Sequence, residues 1–255
     1  MSPSVRRTVF FVAAAGMLAF YVWGLAGLPA FGHYRGPYGY LIDAIAVSKT
    51  HATGIVSAVN FDYRGFDTLG EEFILFVAAT GVATVLRELR DEVKTQSANS
   101  DDAASGRAVQ PTSETVRIAA LAFTGPVLVM GWFLTTHAQT DPSGGFQGGT
   151  VTASAVVLVY LAGQFVTFRR LSPVDLAEAV EATGAGAFVL VGIGVLSTGA
   201  AYLADVLPLG SPAGAVDASG TIALISFLVG VEVVAAFALI VNELLEQTVL
   251  IRSRS

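Results

Sequence analysis

Six long apolar stretches divide this sequence, and they limit what the chain can fold into. They lie at approximately 9–28, 68–87, 116–136, 149–168, 184–204 and 221–244. Each approaches the roughly 20 residues that an α-helix needs to cross the hydrocarbon core of a bilayer. Hydrophobic residues make up 53% of the 255 residues and charged residues only 13%, which is too apolar for a soluble domain. We therefore predict an all-α, polytopic integral membrane protein of the cell membrane with about six transmembrane helices.

The distribution of basic residues predicts the orientation of these helices. Arg6 and Arg7 precede the first stretch, which is long enough to be a retained span rather than a cleaved signal peptide. If the N-terminus is cytoplasmic, 11 of the 14 lysines and arginines fall in cytoplasmic loops and tails, and the opposite side holds only Arg35, Lys49 and Arg64. Cytoplasmic loops are enriched in lysine and arginine, so we place both termini in the cytoplasm.

A polar stretch separates the second span from the third. Residues 88–115 contain few large apolar side chains, and such a segment cannot bury enough surface to offset the entropy lost on ordering. We predict a flexible cytoplasmic linker there, between a two-span module at 1–87 and a four-span module at 116–255. A long loop within one module is the alternative.

A short helix is predicted between the fourth and fifth spans. Ser172 is a candidate N-cap, with Pro173 at the first helical position and Asp175 at capping-box spacing. The pattern is that of a helix lying on the membrane surface or against a partner, and the alternative is a solvated turn. One side carries Leu176, Ala179 and Val180, and another carries Asp175, Glu178 and Glu181.

Several functional classes are excluded by what the sequence lacks. Without cysteine there are no disulfides, thiolate metal sites or iron–sulfur ligands, and a net charge of −6 argues against nucleic acid as a partner. The sequence also has no nucleotide-binding GxxxxGK[ST], no HExxH zinc motif and no GxSxG elbow. We predict a protein that is not an enzyme by itself, has no catalytic, cofactor or metal site, and acts within a complex.

Glu232 is the ionisable group that lies deepest in a predicted span. The run from Ile225 to Val241 contains no other, and a carboxyl at that depth costs roughly 2.5 to 3.5 kcal/mol unless it serves an ion path or meets a partner. At about 100° per residue, Glu243 and Glu246 fall on the same helix face. Desolvation favours the neutral carboxyl, so Glu232 is predicted to exchange H⁺ with Na⁺. The alternative is that Glu232 pairs with a neighbouring helix, while the other two mark the wet end of the span.

A second acidic group lies in the segment FDYRGFDTLGEE, residues 61–72. Asp67 and Glu71 are four residues apart and share a helix face, while Thr68 and Gly70 leave room for a close helix or for oxygen ligands to an ion. Asp67 directly precedes the apolar run, which favours a helix-capping role for it. For Glu71 we favour a role in ion movement.

A third segment, DPSGGFQGG at 141–149, is rich in glycine. It predicts a tight turn or a broken helix at the start of the fourth span, whose free carbonyls face an ion or a neighbouring subunit. Phe146 would project from this turn. The alternative is a plain re-entry turn. His137 lies nearby as a further candidate, although a lone interfacial histidine is more often structural.

Two segments resemble a known family. VNFDYRGFDTLGEEFILFVAATGV, residues 59–82, resembles the C-terminal end of the large A subunit of multi-subunit Mrp/Mnh sodium/proton antiporters and a small subunit of membrane-bound hydrogenases. From about 116 onward, HAQTDPSGGFQGGTVTASAVVLVYLAG resembles the B subunit of the same antiporters, the MnhB family, with its PGGGFxGG turn. The predicted linker falls between the two segments, so the chain resembles a fusion of the A-subunit tail with the B subunit.

The resemblance implies a helical subunit of a large assembly related to the membrane arm of respiratory complex I, exchanging Na⁺ for H⁺. Glu71 takes the place of the glutamate in the DTLGE motif, and Pro142 and Phe146 match the glycine-rich turn. Ser143 replaces a glycine of that turn, and His137 lies five residues before the proline.

We therefore predict a subunit of a Na⁺/H⁺ antiporter complex that contributes to the ion path and connects antiporter-like subunits. Its predicted partners are the other subunits, the lipid bilayer, and Na⁺ and H⁺ as transported ions. One alternative is a sodium-coupling subunit of a membrane-bound hydrogenase or related redox complex, and another is a structural scaffold. The candidate ion-path residues are Asp67, Glu71, Glu72, His137, Pro142, Phe146, Glu232, Glu243 and Glu246.

Overall fold

A computed structural model describes residues 3–28, 36–96, 113–162 and 165–252 of the chain. Within these ranges the regular structure is entirely helical, which confirms the predicted fold class. Two compact units are formed, Met1–Leu41 and Ile42–Ser255. The elements in chain order are α1 Pro3–Ala26, α2 Pro37–Thr50, α3 Ile55–Ala58, a π-helical turn Val59–Tyr63, α4 Gly65–Gln96, α5 Glu114–Thr136, α6 Gly145–Leu161, α7 Phe165–Leu171, α8 Val174–Ser197 and α9 Gly220–Arg252.

Five of the six predicted spans coincide with helices that are long and apolar enough to cross a membrane. These are Arg7–Ala26, Gly65–Leu86, Glu114–Thr136, Val174–Ser197 and Gly220–Leu245. The remaining prediction, 149–168, corresponds to α6, an apolar helix of 17 residues. Its length of about 26 Å is slightly less than the roughly 30 Å of a hydrocarbon core. Residues 163 and 164 of that prediction lie outside the described ranges.

In the first unit, α1 is apolar on all of its faces. Phe10, Phe11, Tyr21 and Trp23 are all exposed, and the helix has no acidic residue in its first turn and no basic residue in its last. A helix that is hydrophobic all round is suited to a surrounding of lipid or other helices.

The second unit is built around α9, which contacts α4, α5, α6 and α8. Its Ile225, Val229, Val233 and Leu239 are almost completely buried, and Phe188 of α8 packs into the same core. Apolar residues occur on every face of α9, and such a helix is stable when other helices enclose it.

Glycines let α5, α6 and α9 approach one another closely. A Cβ at Gly148 of α6 would lie 2.7 Å from the backbone oxygen of Gly131 in α5, and a Cβ at Gly149 would lie 2.6 Å from that of Gly230 in α9. Small residues at helix interfaces allow such contact in membranes. Residues 141–144 of the DPSGGFQGG segment precede α6 and are not helical, in agreement with the predicted turn, whereas its last three glycines, Gly145, Gly148 and Gly149, lie inside α6 and serve helix packing.

The predicted surface helix after Ser172 is wrong in two respects. α8 starts at Val174 and continues without a break to Ser197, so the segment is the first part of a span. Leu176 is 57% exposed whereas Glu181 is only 2% exposed, so the buried face is not the one predicted. The helix continues because Ala, Glu and Leu favour helix and no glycine or proline follows in its first two turns.

α4 extends further than predicted. It runs to Gln96, nine residues into the predicted linker 88–115, because that stretch is rich in the helix-favouring residues Glu, Leu, Arg and Lys. Residues 97–112 of the predicted linker lie outside the described residues. The division into modules at 1–87 and 116–255 remains a prediction.

Three connections interlock at the end of the second unit where α4, α6 and α9 begin. We call residues 51–54, 137–144 and 198–219 the connection layer. The Gly54 N–H donates to the Gln139 carbonyl at 3.0 Å, and the Gln139 side chain donates to the Val216 carbonyl at 2.5 Å. His51 Nδ1 lies 2.8 Å from the Gly210 carbonyl oxygen. These bonds join the segment before α3 to the α5–α6 and α8–α9 connections.

Candidate functional site

Three carboxyl groups are buried among α4, α8 and α9. Glu72 is 1% exposed, Glu181 2% and Glu232 0%. Within the described part of the chain, both oxygens of Glu72, both of Glu232 and one of Glu181 have no hydrogen-bond partner. A buried polar group without a partner is costly, so such groups persist mainly where function requires them. We call Glu72, Glu232 and Glu181 the carboxyl row.

The members of the row lie at different depths in the interior of the helical bundle. α4 and α9 begin at the connection layer, and α8 ends there. Two hydrogen bonds join these helix ends: the Asp205 N–H donates to the Asp62 carboxyl at 3.0 Å, and the Asp205 carboxyl accepts from the Thr221 N–H at 2.9 Å. At 1.5 Å per residue, Glu72 lies about 10 Å inside α4 and Glu232 about 18 Å inside α9 from this end. Glu181 lies about 10 Å from the opposite end, in α8. The three carboxyls therefore lie at successive depths.

Neighbouring members of the row interact electrostatically. The Glu232 carboxyl interacts electrostatically with that of Glu72, and the Glu181 carboxyl with that of Glu232. Glu71 and Glu178 extend the series at its two ends, acting on Glu72 and Glu181 respectively. Among the side chains that the structure describes, no lysine or arginine forms a salt bridge with the row.

Gly184 makes the space that Glu232 occupies. A Cβ at Gly184 would lie 2.7 Å from the Glu232 Cβ and 3.2 Å from its Cα. α8 and α9 therefore approach each other closely beside the carboxyl. Gly184 lies three residues after Glu181, on the same buried face of α8. The helix contact that holds Glu232 in place thus also holds Glu181.

An open cavity of about 410 Å³ reaches the row at Glu72. We call it the α4–α6 cavity, since most of its lining comes from those helices and the turn before α4. Glu71 is exposed and lines it together with Glu72, and Phe146 contributes from α6. Its complete lining is Asn60, Phe61, Thr68, Glu71, Glu72, Ile74, Leu75, Ala78, Gly144, Phe146, Gln147 and Val229.

The structure thus brings together four of the predicted site residues, namely Glu71, Glu72, Phe146 and Glu232. They come from both predicted modules. The first two are on α4 and the other two on α6 and α9. The ring of Phe146 also packs edge-on against Phe237 of α9, with ring centroids 6.5 Å apart.

Three other predicted residues do not join this group. Asp67 lies in the first turn of α4 and pairs with Arg64, whose Nε donates to Oδ2 at 2.6 Å, in agreement with a helix-end role. Pro142 is exposed in the connection layer and does not line the cavity. His137 ends α5, where its ring stacks on Phe133 at 4.1 Å.

Of the predicted acidic face of α9, two members are described. Glu243 is 2% exposed and lies on the buried side of the helix with Glu232, about 16 Å further along. Glu246 lies in α9, but its side chain is outside the described part of the chain.

Sequence reasoning missed Glu181 as a member of the site. The signal was available in the spacing of small and apolar residues in α8, where Ala177, Glu181, Gly184 and Phe188 recur at helical period and are all buried. The sequence pattern of this segment alone does not reveal it, because the first turns of α8 by themselves predict a separate surface helix. Asn60 and Gln147, which line the cavity, carried no distinguishing signal.

A second polar group lies in and beside the connection layer. Burial raises the pKa of Asp62 above its usual value, against the opposing influence of the Asp205 N–H and of Lys49. Burial likewise raises the pKa of Asp205, although hydrogen bonds from Thr221 oppose the shift. These two carboxyls link the start of α4 to the α8–α9 connection.

Comparison with known proteins gives matches to one family and to related assemblies. Residues 115–239 match the family described as "Domain related to MnhB subunit of Na+/H+ antiporter". An uncharacterised protein of Methanocaldococcus jannaschii is 27% identical over 195 residues, covering 73% of this chain and 72% of that protein.

Two further relatives have antiporter names. The B subunit of a Na(+)/H(+) antiporter of Bacillus subtilis is 37% identical over 79 residues, or 30% of this chain and 53% of that relative. The A/B subunit of a probable K(+)/H(+) antiporter of Rhizobium meliloti is 28% identical over 130 residues, or 44% of this chain and 12% of that protein.

Two solved structures share the fold. One is a chain of the membrane-bound sulfane sulfur reductase (MBS), an archaeal respiratory membrane complex, with a TM-score of 0.69 and 25% identity, covering 94% of this chain and 98% of that chain. The other is a chain of the Mrp complex from Dietzia sp. DQ12-45-1b, with a TM-score of 0.67 and 20% identity, covering 96% of this chain and 26% of that chain.

Proposed function

We propose that this chain, whose residues 115–239 match the MnhB-related family, is a membrane component of an antiporter complex that exchanges a monovalent cation for protons. It is a multi-pass protein of the cell membrane whose relatives include components of Na⁺/H⁺ and K⁺/H⁺ antiporters. Its proposed role is to form part of the ion path and to connect antiporter-like subunits.

The carboxyl row is the observation that carries this proposal. Glu72, Glu232 and Glu181 lie at three depths of the bundle, buried and without salt bridges to the lysines and arginines that the structure describes. Ionisable residues inside transmembrane segments are expensive and mark proton relays and ion pathways. A row of them from one end of the bundle towards the other is suited to carrying charge across the membrane.

The proposed partners are the other subunits of the complex, the surrounding lipid, and Na⁺ and H⁺ as transported ions. Both structural relatives come from complexes of several subunits. The proposed activity is transport, so we do not assign an enzymatic reaction to this chain.

We also propose that the chain joins an A-subunit tail, residues 1–87, to a B-subunit module, residues 116–255. The matched Mrp chain supports this arrangement, because 26% of its length aligns with 96% of this chain. The Rhizobium meliloti relative is named as an A/B subunit, a name that also combines the two subunits.

A second candidate function is a coupling subunit of a respiratory redox complex. The MBS chain favours it, since this chain and that one align over nearly their whole lengths. Neighbouring genes that encode antiporter subunits would favour the first proposal, and genes for a redox enzyme would favour the second. A third possibility, a scaffold without ion-path residues, requires that the row be dispensable for transport.

The test is to replace Glu232 and Glu181 by glutamine in the complete complex and to measure Na⁺-driven proton movement in everted vesicles. Glutamine keeps the size of the side chain but cannot release a proton. Glu114→Gln is the matched control, because Glu114 is exposed in the first turn of α5. Native gels report assembly in parallel.

We expect both row variants to assemble and to lose exchange, while Glu114→Gln retains it. Normal exchange in assembled Glu232→Gln and Glu181→Gln complexes would support the scaffold and reject the proposed ion path.

A further inference from the structure

We infer that the ion path has two chemically different parts: the α4–α6 cavity, where Glu71 and Glu72 bind an alkali-metal cation, and the interior pair Glu232 and Glu181, which passes protons only. The inference rests on the proposed function and specifies which ion occupies which part. Glu72 belongs to both parts, because it lines the cavity and interacts with Glu232.

The cavity offers the ligands that a hard monovalent cation prefers, which are oxygen atoms. Two carboxyls are present on α4, and Glu72 is almost fully buried with both oxygens unpartnered. The Thr68 hydroxyl donates to the Asn60 carbonyl at 2.7 Å, so its oxygen lone pairs remain available to an ion. Gln147 adds an amide oxygen, which lies over Gly144 at the start of α6.

The size of the cavity allows a cation to arrive with water. A water molecule occupies about 30 Å³ in the liquid, so a space of 410 Å³ has room for on the order of ten. Carboxyl, hydroxyl and amide oxygens can then replace part of the hydration shell. The polar groups project from an otherwise apolar lining that includes Phe61, Leu75 and Val229, which favours binding at Glu71 and Glu72.

The interior pair has different surroundings. The lining of the cavity ends at Glu72 and includes neither Glu232 nor Glu181. Glu232 is fully buried, and α8 approaches it so closely at Gly184 that an added methyl group does not fit. A proton can reach such a carboxyl through a single water or another carboxyl, whereas a cation needs several ligands around it.

Two of the other buried polar side chains of α9, Ser226 and Asn242, form hydrogen bonds elsewhere. Ser226 donates to the Thr135 carbonyl at 3.3 Å, and Asn242 donates to the Ser172 carbonyl at 2.9 Å. Neither bond involves Glu232, whose two oxygens have no hydrogen-bond partner among the residues that the structure describes. A protonated carboxyl is the form that low polarity tolerates.

This arrangement makes Glu72 the point where the two ions compete. Cation binding requires Glu72 to be ionised, so the proton that it held must leave, and Glu232 is the member of the row that interacts electrostatically with Glu72 and could accept it. The charged groups that face the row are Glu71, Glu178 and the row itself, all of the same sign. A cation bound at Glu72 supplies a positive charge, so it stabilises the ionised form of that carboxyl.

The test separates binding from transport in the purified complex. Equilibrium binding of ²²Na⁺ and ⁸⁶Rb⁺ is measured for Glu71→Gln, Glu72→Gln, Glu181→Gln and Glu232→Gln, with Glu114→Gln as control. Proton movement driven by a Na⁺ gradient is measured in vesicles for the same set. Replacement by aspartate at Glu72 and Glu232 provides second variants that keep a carboxyl if glutamine prevents assembly.

We expect the two cavity variants to lower cation affinity at least about tenfold, since losing even an outer-shell partner of a metal ligand costs that much. The two interior variants should bind the cation as the unaltered complex does but lose proton movement. If Glu232→Gln or Glu181→Gln lost as much cation binding as the cavity variants, the cation would travel the whole row and the inference would be overturned. Unchanged cation binding in the cavity variants would overturn it as well.

Failure of the inference is distinguishable from failure of the proposed function. If the interior variants transport normally, the row is not a path and the proposed function fails. If they lose transport together with cation binding, the path stands and only its division into two parts fails.

Discussion

Replacement of Gly184 by alanine tests whether close packing between α8 and α9 holds the carboxyl row in register. The new Cβ would lie 2.7 Å from the Glu232 Cβ, whereas ordinary contact begins at 3.4 Å, so the helices must separate locally by about 0.7 Å. Backbone must move, because the Glu232 Cα is only 3.2 Å away. Overpacking of this kind costs about 1–3 kcal/mol.

Gly186→Ala in the same helix is the matched control. Nothing lies within 4 Å of a Cβ at Gly186, so this variant has the same gain in helix propensity, up to about 1 kcal/mol, without the clash. Because propensity cancels between the two variants, Gly184→Ala should be less stable than Gly186→Ala by the overpacking cost, about 1–3 kcal/mol. Thermal unfolding of the purified complex measures this difference.

Exchange should fall as well. Proton transfer requires heavy atoms within about 3 Å or one bridging water, and a displacement near 1 Å in a reaction geometry can cost up to about 100-fold in rate. We expect Gly184→Ala to slow Na⁺-driven proton movement at least about tenfold. If Gly184→Ala and Gly186→Ala had the same stability and the same exchange rate, the close contact would not position Glu232 and the reasoning would be refuted.

Two further predictions concern packing and pH. Gly148→Ala should lower the melting temperature of the complex, because the new Cβ would lie 2.7 Å from a backbone oxygen of α5. Gly125→Ala is the control and should not lower it, because nothing lies within 4 Å of a Cβ there. Equal melting temperatures for the two variants would contradict the proposed helix contact. The folded-state pKa of Asp205 is raised from its ordinary value of 3.8, so its contribution to stability is fully present below that value and is lost as pH rises through the raised pKa. In the Asp205→Asn variant the melting temperature should therefore fall less steeply as the pH rises. If the variant had the same dependence of melting temperature on pH as the unaltered protein, Asp205 would not be the cause of that dependence.

Much of the site was predictable from local sequence. Glu232 was identified because it interrupts a long apolar run, and Glu71 and Phe146 because they lie in segments that resemble family motifs. The structure then placed Glu71 and Phe146 on one cavity, and the adjacent Glu72 in the interior. Two neighbouring residues on a helix point about 100° apart, so sequence alone does not decide which of them faces the bundle.

Glu181 shows where prediction from the sequence stopped. Its segment reads as an amphipathic surface helix if taken alone, with three acidic residues on one side. Only when the helix continues into the span does Glu181 share a face with Gly184 and Phe188. The error therefore came from a helix boundary, which depends on what packs around the helix more than on its own residues.

The sequence by itself determined that this chain is a bundle of apolar helices and that a few carboxyls lie within them, because the cost of polar groups in lipid acts on each segment separately. The tertiary structure alone decided which carboxyls become neighbours. Glu72, Glu232 and Glu181 are far apart in sequence and on three helices, and they form a row because glycines such as Gly184 allow those helices to approach closely. Helix register and contact distance arise from packing among several segments, and no single segment encodes them.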